Sequence, residues 1–334
     1  MATTMLRTRR TRKRLTTDPK GRCLVGIVRG AAQCAAPLRI YSHSAMVEQG
    51  RKPYMEKDIT SSIPDWREST PKEASLNATL LRRTSGKVAT LMERLLTDKE
   101  INLYHSYGNV VSVRRLGYND HGPVHARITT MNALRMLDLL RAGGIPTSLE
   151  AEQVASFEES QVAVALGCFL HDIGMGVTRH DHEWHGINLV DPIIREYVAW
   201  LYPDQLDKQV VVRAMIHEVI VGHMAKVPIH SIEAGTVLVA DGTDMTKGRS
   251  VIAFNMQFEP EVGDMHRFSA NTITRVEIKK GTIKPIRISI QMDNTTGLFQ
   301  IEEVLMTKVK ASPVMKHLEI EALISGQVPR MYLK

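Results

Sequence analysis

A histidine followed directly by an aspartate, His171-Asp172, comes at the end of an apolar run and is the clearest candidate for chemistry in this chain. The run covers residues 162–170 and is apolar nearly all round, which is typical of a buried helix. Burying a carboxylate costs free energy unless a cation or a metal ion is paired with it. The neighbouring imidazole therefore favours a metal site, and the alternative is an Asp that caps the next segment beside a core histidine.

Other potential metal ligands are concentrated on both sides of this pair. Ten of the 13 histidines lie between residues 105 and 230, and they include His125, His182 and His223. Asp241 ends a second apolar run. Histidine and carboxylate ligands without cysteine suit Zn, Fe, Mn or Ni, in sites that keep positions open for water.

Helices must position most of these side chains, because apolar residues recur at helical spacing up to about residue 250. The predicted helices cover residues 86–106, 123–141, 157–172, 187–201 and 209–223. Residues 237–241 are predicted as helix, with strand as the alternative. We therefore expect a mainly α helical domain over residues 66–250, preceded by a basic, poorly ordered extension over residues 1–65.

The last part of the chain has a different pattern. Alternation with period 2 predicts strands at 272–278 and 286–292, joined by a turn at Lys280-Gly281. A helix over 297–309 and a third strand over 317–324 follow. Residues 251–334 are therefore predicted to form a small α+β module.

Composition restricts the classes of protein that fit. The chain has 334 residues, of which 43% are hydrophobic and 24% charged, as in a globular protein with a substantial core. No apolar stretch approaches the roughly 20 residues of a membrane helix. The three cysteines form no CxxC pair, so a reducing compartment is expected and a cytoplasmic location is predicted.

The net charge of +7 comes from the extension rather than from the predicted domains. Residues 1–52 hold twelve Lys and Arg against two acids, so the remainder is mildly acidic. This argues against nucleic acid as a partner of the folded body. For the extension, an organelle transit peptide, a basic arm that contacts nucleic acid, and a true start further downstream all stay open.

Four segments together resemble the HD superfamily of metal-dependent phosphohydrolases, over about residues 115–250. The segments are His125-Ala126-Arg127-Ile128, Leu170-His171-Asp172-Ile173-Gly174, His182-Glu183-Trp184-His185-Gly186 and Val239-Ala240-Asp241-Gly242. The resemblance implies an HD-type helical bundle with one or two divalent ions, which could be Mn, Fe, Ni, Co, Zn or Mg. The first ion would be held by His125, His171, Asp172 and Asp241.

In members with two ions, Asp172 would bridge them and two further histidines would hold the second. His182 is the preferred candidate, with His185 as the alternative, because His182-Glu183 and Gly186 match the family's His-Glu-x-x-Gly form. His223 is preferred over His217. These two are six residues apart, or about 240° around a helix, so they should not face the same site.

The expected reaction is hydrolysis of a nucleotide or another small phosphomonoester or phosphodiester. A divalent ion lowers the pKa of bound water from about 16 toward about 7. Lys247 and Arg249 follow Asp241 closely and could bind the substrate phosphate, although a solvated charged loop is the alternative. His121 could act as a catalytic proton donor or line the entrance, or be only a helix-start residue.

Two other function classes stay open at this stage. Some relatives of this fold use a di-iron pair as an oxygenase, and a nucleotide-sensing regulatory protein would bind without turnover. The strand and helix over residues 286–305 resemble the opening of an ACT-type ligand-binding domain. A regulatory role for the module, or a homodimer formed through it, is a further expectation.

Overall fold

The structure is a computed structural model that describes residues 68–249 and 265–334. The predicted extension over residues 1–65 lies outside the described residues. The described residues belong to one compact unit. Among them, no helix is both long enough and apolar enough to cross a membrane.

The described part of the chain is mainly helical, with a small four-stranded sheet at the carboxy-terminal end. The α-helices are α1 (Pro71–Arg83), α2 (Gly86–Thr97), α3 (Lys99–Asn109), α4 (Pro123–Ala142), α5 (Ser148–Ala151), α6 (Phe157–Leu170), α7 (His182–Leu201), α8 (Leu206–Gly222), α9 (Ile232–Thr243), α10 (Met265–Ala270) and α11 (Met306–Ala311). Short π-helical segments are Val110–Arg115 and Gln300–Leu305, and short 3-10 segments are Ile173–Gly176, Thr295–Gly297 and Pro313–His317.

Helix α6 lies at the centre of the helical part. Its residues 162–170 are all buried, as the apolar run predicts. The helix begins with a capping box, in which Ser156 and Glu159 satisfy each other's backbone N–H groups. Helices α4, α8 and α9 pack against it. His171, the residue that follows α6, is fully buried, so this end of the helix lies inside the bundle rather than at its surface.

Two predicted helices differ most from the structure. The helix expected over 86–106 is interrupted at Asp98, whose side chain accepts a hydrogen bond from Ile101 N and so caps α3. Helix α7 begins at His182 instead of residue 187, so His182 lies in its first turn. Residues 237–241 are helical, as part of α9.

The sheet consists of β1 (Ile273–Lys280), β2 (Ile286–Met292), β3 (Leu318–Ile324) and β4 (Arg330–Leu333), in that order. Strands β1 and β2 form the predicted antiparallel hairpin, and β3 is parallel to β2. Strand β4 was missed, because it is four residues long and lacks a buried face. The helix expected over 297–309 is a π-helical segment followed by α11.

The sheet module packs directly on the helical part. Helix α11 contacts α9, and Ser312 Oγ donates a hydrogen bond to Gly235 O at 2.9 Å. This contact matters for the site, because α9 ends near Asp241.

Candidate metal centre

The six predicted metal ligands come from five helices that meet in one place. His125 lies in the first turn of α4, and His171 is the residue that follows α6. His182 lies in the first turn of α7, and His223 follows the last residue of α8. Asp241 lies in the last turn of α9, and Asp172 follows His171. All six residues are at most 7% exposed.

One oxygen of Asp172 faces the first pair of histidines. Asp172 Oδ2 lies 3.3 Å from Nε2 of His125 and 3.3 Å from Nε2 of His171. Asp241 Oδ1 is on the same side, 3.2 Å from His125 Nε2 and 4.0 Å from His171 Nε2. The two Nε2 atoms are 3.3 Å apart. These four residues are the set that the family resemblance assigns to the first ion.

The other oxygen of Asp172 faces the second pair. Asp172 Oδ1 lies 3.1 Å from Nε2 of His182 and 3.5 Å from Nε2 of His223. These two Nε2 atoms are only 3.0 Å apart. Asp172 therefore lies between two groups of nitrogen atoms, as a bridging carboxylate must.

The backbone fixes which nitrogen each ring presents to the centre. Nδ1 of His171, His182 and His223 lies 2.6, 3.0 and 2.6 Å from the carbonyl oxygen three residues earlier. A carbonyl can only accept a hydrogen bond, so each Nδ1 carries the proton and donates it. A neutral ring then has a lone pair on Nε2, directed at the centre, which is the form that binds a metal ion.

His125 is oriented in a similar way by a carboxylate. Its Nδ1 lies 2.7 Å from Asp244 Oδ2, and both side chains are buried. A carboxylate that accepts from the distal nitrogen fixes the ring and makes the metal-binding nitrogen more basic. Sequence reasoning missed Asp244. Its position three residues after Asp241, at the end of the same helix, was a signal that could have found it.

Two glycines explain why His182 can approach Asp172. A Cβ atom on Gly174 would lie 1.9 Å from His182 O and 2.7 Å from Gly186 N. The turn after α6 and the first turns of α7 are therefore in backbone contact. The contact requires glycine at position 174, and a Cβ atom on Gly186 would fit only tightly, 3.3 Å from Gly174 N.

The donor set fits a metal ion. Asp172 Oδ2 is buried without a hydrogen-bond partner, which is costly for a carboxylate oxygen unless a cation contacts it. Ligand atoms of His125, His171 and Asp241 lie close enough to hold one ion, and so do those of His171, Asp172 and His223. Buried His and Asp groups of this protein could therefore hold a metal ion.

The charges of the centre are strongly coupled. Burial disfavours ionisation of Asp172, but the charge of His171 and the close contacts with His125, His171 and His182 outweigh it and hold the pKa of Asp172 well below its usual range. Burial and Arg249 disfavour a charge on His125, yet its three carboxylate partners raise the pKa of His125 to about 10. Burial lowers the pKa of His223 to about 4. Without a metal ion, the centre thus favours a positive charge on the His125 ring and a neutral ring at His223.

A cleft of about 510 Å³ opens onto the centre. Asp172 and Asp241 line it, together with residues 116–119 on one side and Gln300 and Val304 of the sheet module on another. Ligand clefts of drug-sized molecules have volumes on the order of 300–1,000 Å³, so a small organic molecule fits this space. Its cationic lining residues are Arg179, Arg249 and Lys308.

The structure separates the two residues predicted for phosphate binding. Arg249 lines the cleft, and its guanidinium donates to the carbonyl oxygens of Asp120 and Asp244 at 2.8 Å. Its Nη2 lies 3.4 Å from His125 Nε2. Lys247 is exposed and is not among the described residues that line the cleft.

His121 lines the cleft beside His125, with 5.7 Å between the ring centroids. Its Nδ1 lies 2.7 Å from Asn119 O, so the ring donates there. Burial and then Arg249 hold the pKa of His121 well below its usual value. The ring is therefore neutral near pH 7, and its Nε2 is a weak base.

The alternative histidines lie away from the centre. His185 is exposed, as are His180 and His230. His217 contacts Asp191 at 3.2 Å on the outer side of α8. The six-residue spacing thus places His217 and His223 on different sides of the helix.

Lys308 is the second residue that sequence reasoning missed. It lies in α11 of the sheet module, and its Nζ donates to the carboxylate of Asp241. It is 67 residues away from Asp241 and lies in a different predicted domain, so no local pattern connects the two.

Comparison with known proteins identifies one relative. Over 249 residues the chain is 37% identical to "Uncharacterized protein MJ1020" of Methanocaldococcus jannaschii. The aligned region covers 75% of this chain and 94% of that protein. The chain belongs to the family of this archaeal protein. No family model and no solved structure matches this chain.

Proposed function

We propose that the protein is a metal-dependent phosphohydrolase of the HD superfamily, which hydrolyses a nucleotide or another small phosphate ester. One observation carries this proposal. The two oxygens of Asp172 face two separate pairs of Nε2 atoms, His125 with His171 and His182 with His223. This arrangement provides ligands for two ions that share a carboxylate.

Bound divalent ions would lower the pKa of a water ligand and polarise a phosphoryl oxygen, which are the two requirements of ester hydrolysis. The residues of the chain supply the rest. His125, His171, His182 and His223 present oriented nitrogens, and Asp172 and Asp241 supply negative charge. His121 lines the cleft, but burial and Arg249 lower its pKa, so a proton transfer by this ring would need a bound anion to raise that pKa.

The lining of the cleft supports an anionic substrate. Arg179 contacts Met175 Sδ and lies over the ring of Tyr118 rather than against a carboxylate, among the described residues. Arg249 points its Nη2 toward His125. Guanidinium groups bind phosphate oxygens, and Arg179 could do so in a bidentate manner. Arg249 already donates from Nε and Nη1 to Asp120 O and Asp244 O, so it would contribute its Nη2.

The proposal is tested by loading the protein separately with Mn, Mg, Ni, Co, Zn and Fe and screening phosphomonoesters, phosphodiesters and nucleotides. We expect release of phosphate or nucleotide by the wild type and none by Asp172→Ala. Full activity of a metal-free Asp172→Ala variant would contradict the site, and an inactive wild type with every metal would contradict the hydrolase.

The same preparation distinguishes the other classes. A di-iron oxygenase would contain iron and consume O₂, and a sensor would bind a nucleotide tightly without turnover. The sheet module would be an ACT-type ligand-binding, dimer-forming or regulatory domain. Strand β2, the turn at Asp293-Asn294 and the helical segment after it support that assignment.

A further inference from the structure

Lys308 extends from the sheet module to the metal centre. Its Nζ donates to Asp241 Oδ2 and, at 3.0 Å, to His223 O. The side chain is 15% exposed, and it lines the cleft. Lys308 therefore contacts residues on both sides of Asp172 from a segment outside the helical part.

The close packing of α11 on α9 places the side chain of Lys308 beside Asp241. Gly242 follows Asp241, and a Cβ atom there would lie 3.2 Å from Lys308 Cδ and 3.3 Å from Leu305 Cδ1. Ser312, shortly after α11, is tied to Gly235 of α9. The position of the ammonium group is thus fixed by two contacts along the same pair of helices.

The contacts of Lys308 leave room for a ligand. An ammonium group has three N–H donors, and the described contacts of Nζ are two, to Asp241 and to His223. Asp241 turns its other oxygen, Oδ1, toward His125. When an ion binds Oδ1, the carboxylate of Asp241 neutralises less of the positive charge of Lys308. The remaining charge then attracts an anion in the cleft.

We infer that Lys308 binds the phosphoryl group of the substrate, so that the sheet module completes the site of the helical part. The inference rests on the proposed function, and it adds that the substrate contacts both parts of the chain. Lys308, Arg179 and Arg249 line the same cleft from three separate segments. Together they fit a phosphate monoester or diester that lies over Asp172 and Asp241.

The test uses inorganic phosphate as the probe and the full chain loaded with Mn. Isothermal titration compares the wild type with Lys308→Ala, Lys308→Gln and Lys308→Arg, and with Lys310→Ala as the control. Lys310 is exposed on the same helix. We expect phosphate to bind about tenfold or more weakly to the Ala and Gln variants, as for loss of a charge-assisted hydrogen bond. Lys308→Arg should recover part of the affinity, and Lys310→Ala should bind as the wild type does.

Metal content and thermal stability are measured on the same samples, and both should be unchanged in Lys308→Gln. Unchanged phosphate affinity in the Ala and Gln variants would overturn the inference, as would a wild type that holds metal without binding phosphate. Loss of metal or of folding in both variants would also overturn it, because Lys308 would then only support Asp241. Phosphate binding through Lys308 without hydrolysis of any ester would instead refute the proposed hydrolase alone.

Discussion

His182 Nε2 and His223 Nε2 lie 3.0 Å apart, although each ring donates its Nδ1 proton to a backbone carbonyl. Burial lowers the pKa of His223 to about 4, so this ring is neutral near pH 7. Its lone pair therefore faces the second imidazole and one oxygen of Asp172. A shared cation is the arrangement that makes such a contact favourable.

The first prediction compares two histidines of α7. His182→Ala should remove the second ion and leave the first, because Nε2 of His182 faces the second group only. His185→Ala should leave both ions, because His185 is exposed three residues further on. Metal analysis by mass spectrometry measures both variants, and loss of metal from His185→Ala alone would refute the choice between them.

The second prediction concerns the bridging carboxylate. Asp172→Ala should lose both ions, since each oxygen of Asp172 faces one histidine pair. Asp191→Ala is the matched control, because Asp191 also contacts a histidine, His217, but at the surface of the bundle. The control should retain its metal content. An Asp172→Ala protein that keeps two ions would show that Asp172 bridges nothing.

The third prediction concerns the ring orientation of His125. Asp244→Asn removes the charge that holds His125 Nδ1 at 2.7 Å. Loss of such a partner weakens metal binding by roughly 10- to 100-fold. Titration against a chelator of known affinity measures the change, and an affinity equal to that of the wild type would mean that Asp244 has no such role.

The fourth prediction concerns the contact between backbones at Gly174. Gly174→Ala would place a Cβ atom 1.9 Å from His182 O, which displaces α7. Overpacking of this kind costs about 1–3 kcal/mol, and His182 should leave the second group. Gly108→Ala is the control, because the nearest atoms to its Cβ are 3.7 Å away. Urea unfolding compares the two, and equal free energies of unfolding would contradict the argument.

The parts of the site that could be predicted are those that depend on residues near each other in the sequence. His171-Asp172 could be predicted as a metal site because a fully buried helix appears in the sequence as a continuous apolar run, and the pair ends that run. The spacing of His217 and His223 was equally informative, because helical geometry fixes which way side chains six residues apart point. Lys308 could not be predicted, since its contact depends on how α11 packs on α9.

The elements of the fold also divide into those that periodicity predicts and those that it does not. The apolar core of α6 and the β1–β2 hairpin were predicted from periodicity. The break between α2 and α3 was missed, because it depends on Asp98 capping the second helix within one continuous apolar pattern. Strand β4 pairs at the sheet edge with little burial, so it has no periodic pattern to detect.

The fifth prediction concerns the pH dependence of stability. Glu319 of β3 accepts hydrogen bonds from Thr282 N, Ile283 N and Lys284 N and from Arg287. Burial opposes its charge, but these donors lower the pKa of Glu319 to about 2. The resulting stability is fully present above the unfolded pKa near 4.5 and is lost as the pH falls toward 2.

Glu319→Gln should therefore be less stable than the wild type by about 2 kcal/mol at pH 7, and the difference should shrink as the pH falls below 4.5. Thermal unfolding of both proteins between pH 7 and pH 3 measures this difference. A difference that is independent of pH would show that the charge of Glu319 contributes nothing.

The central claim is that Asp172 lies between two metal ions. Anomalous X-ray diffraction from crystals of the protein soaked in Mn tests it most directly. The account predicts two peaks, about 3.5–4 Å apart, one beside His125 and His171 and the other beside His182 and His223. A map without a peak at Asp172, or with metal bound only elsewhere, would contradict it.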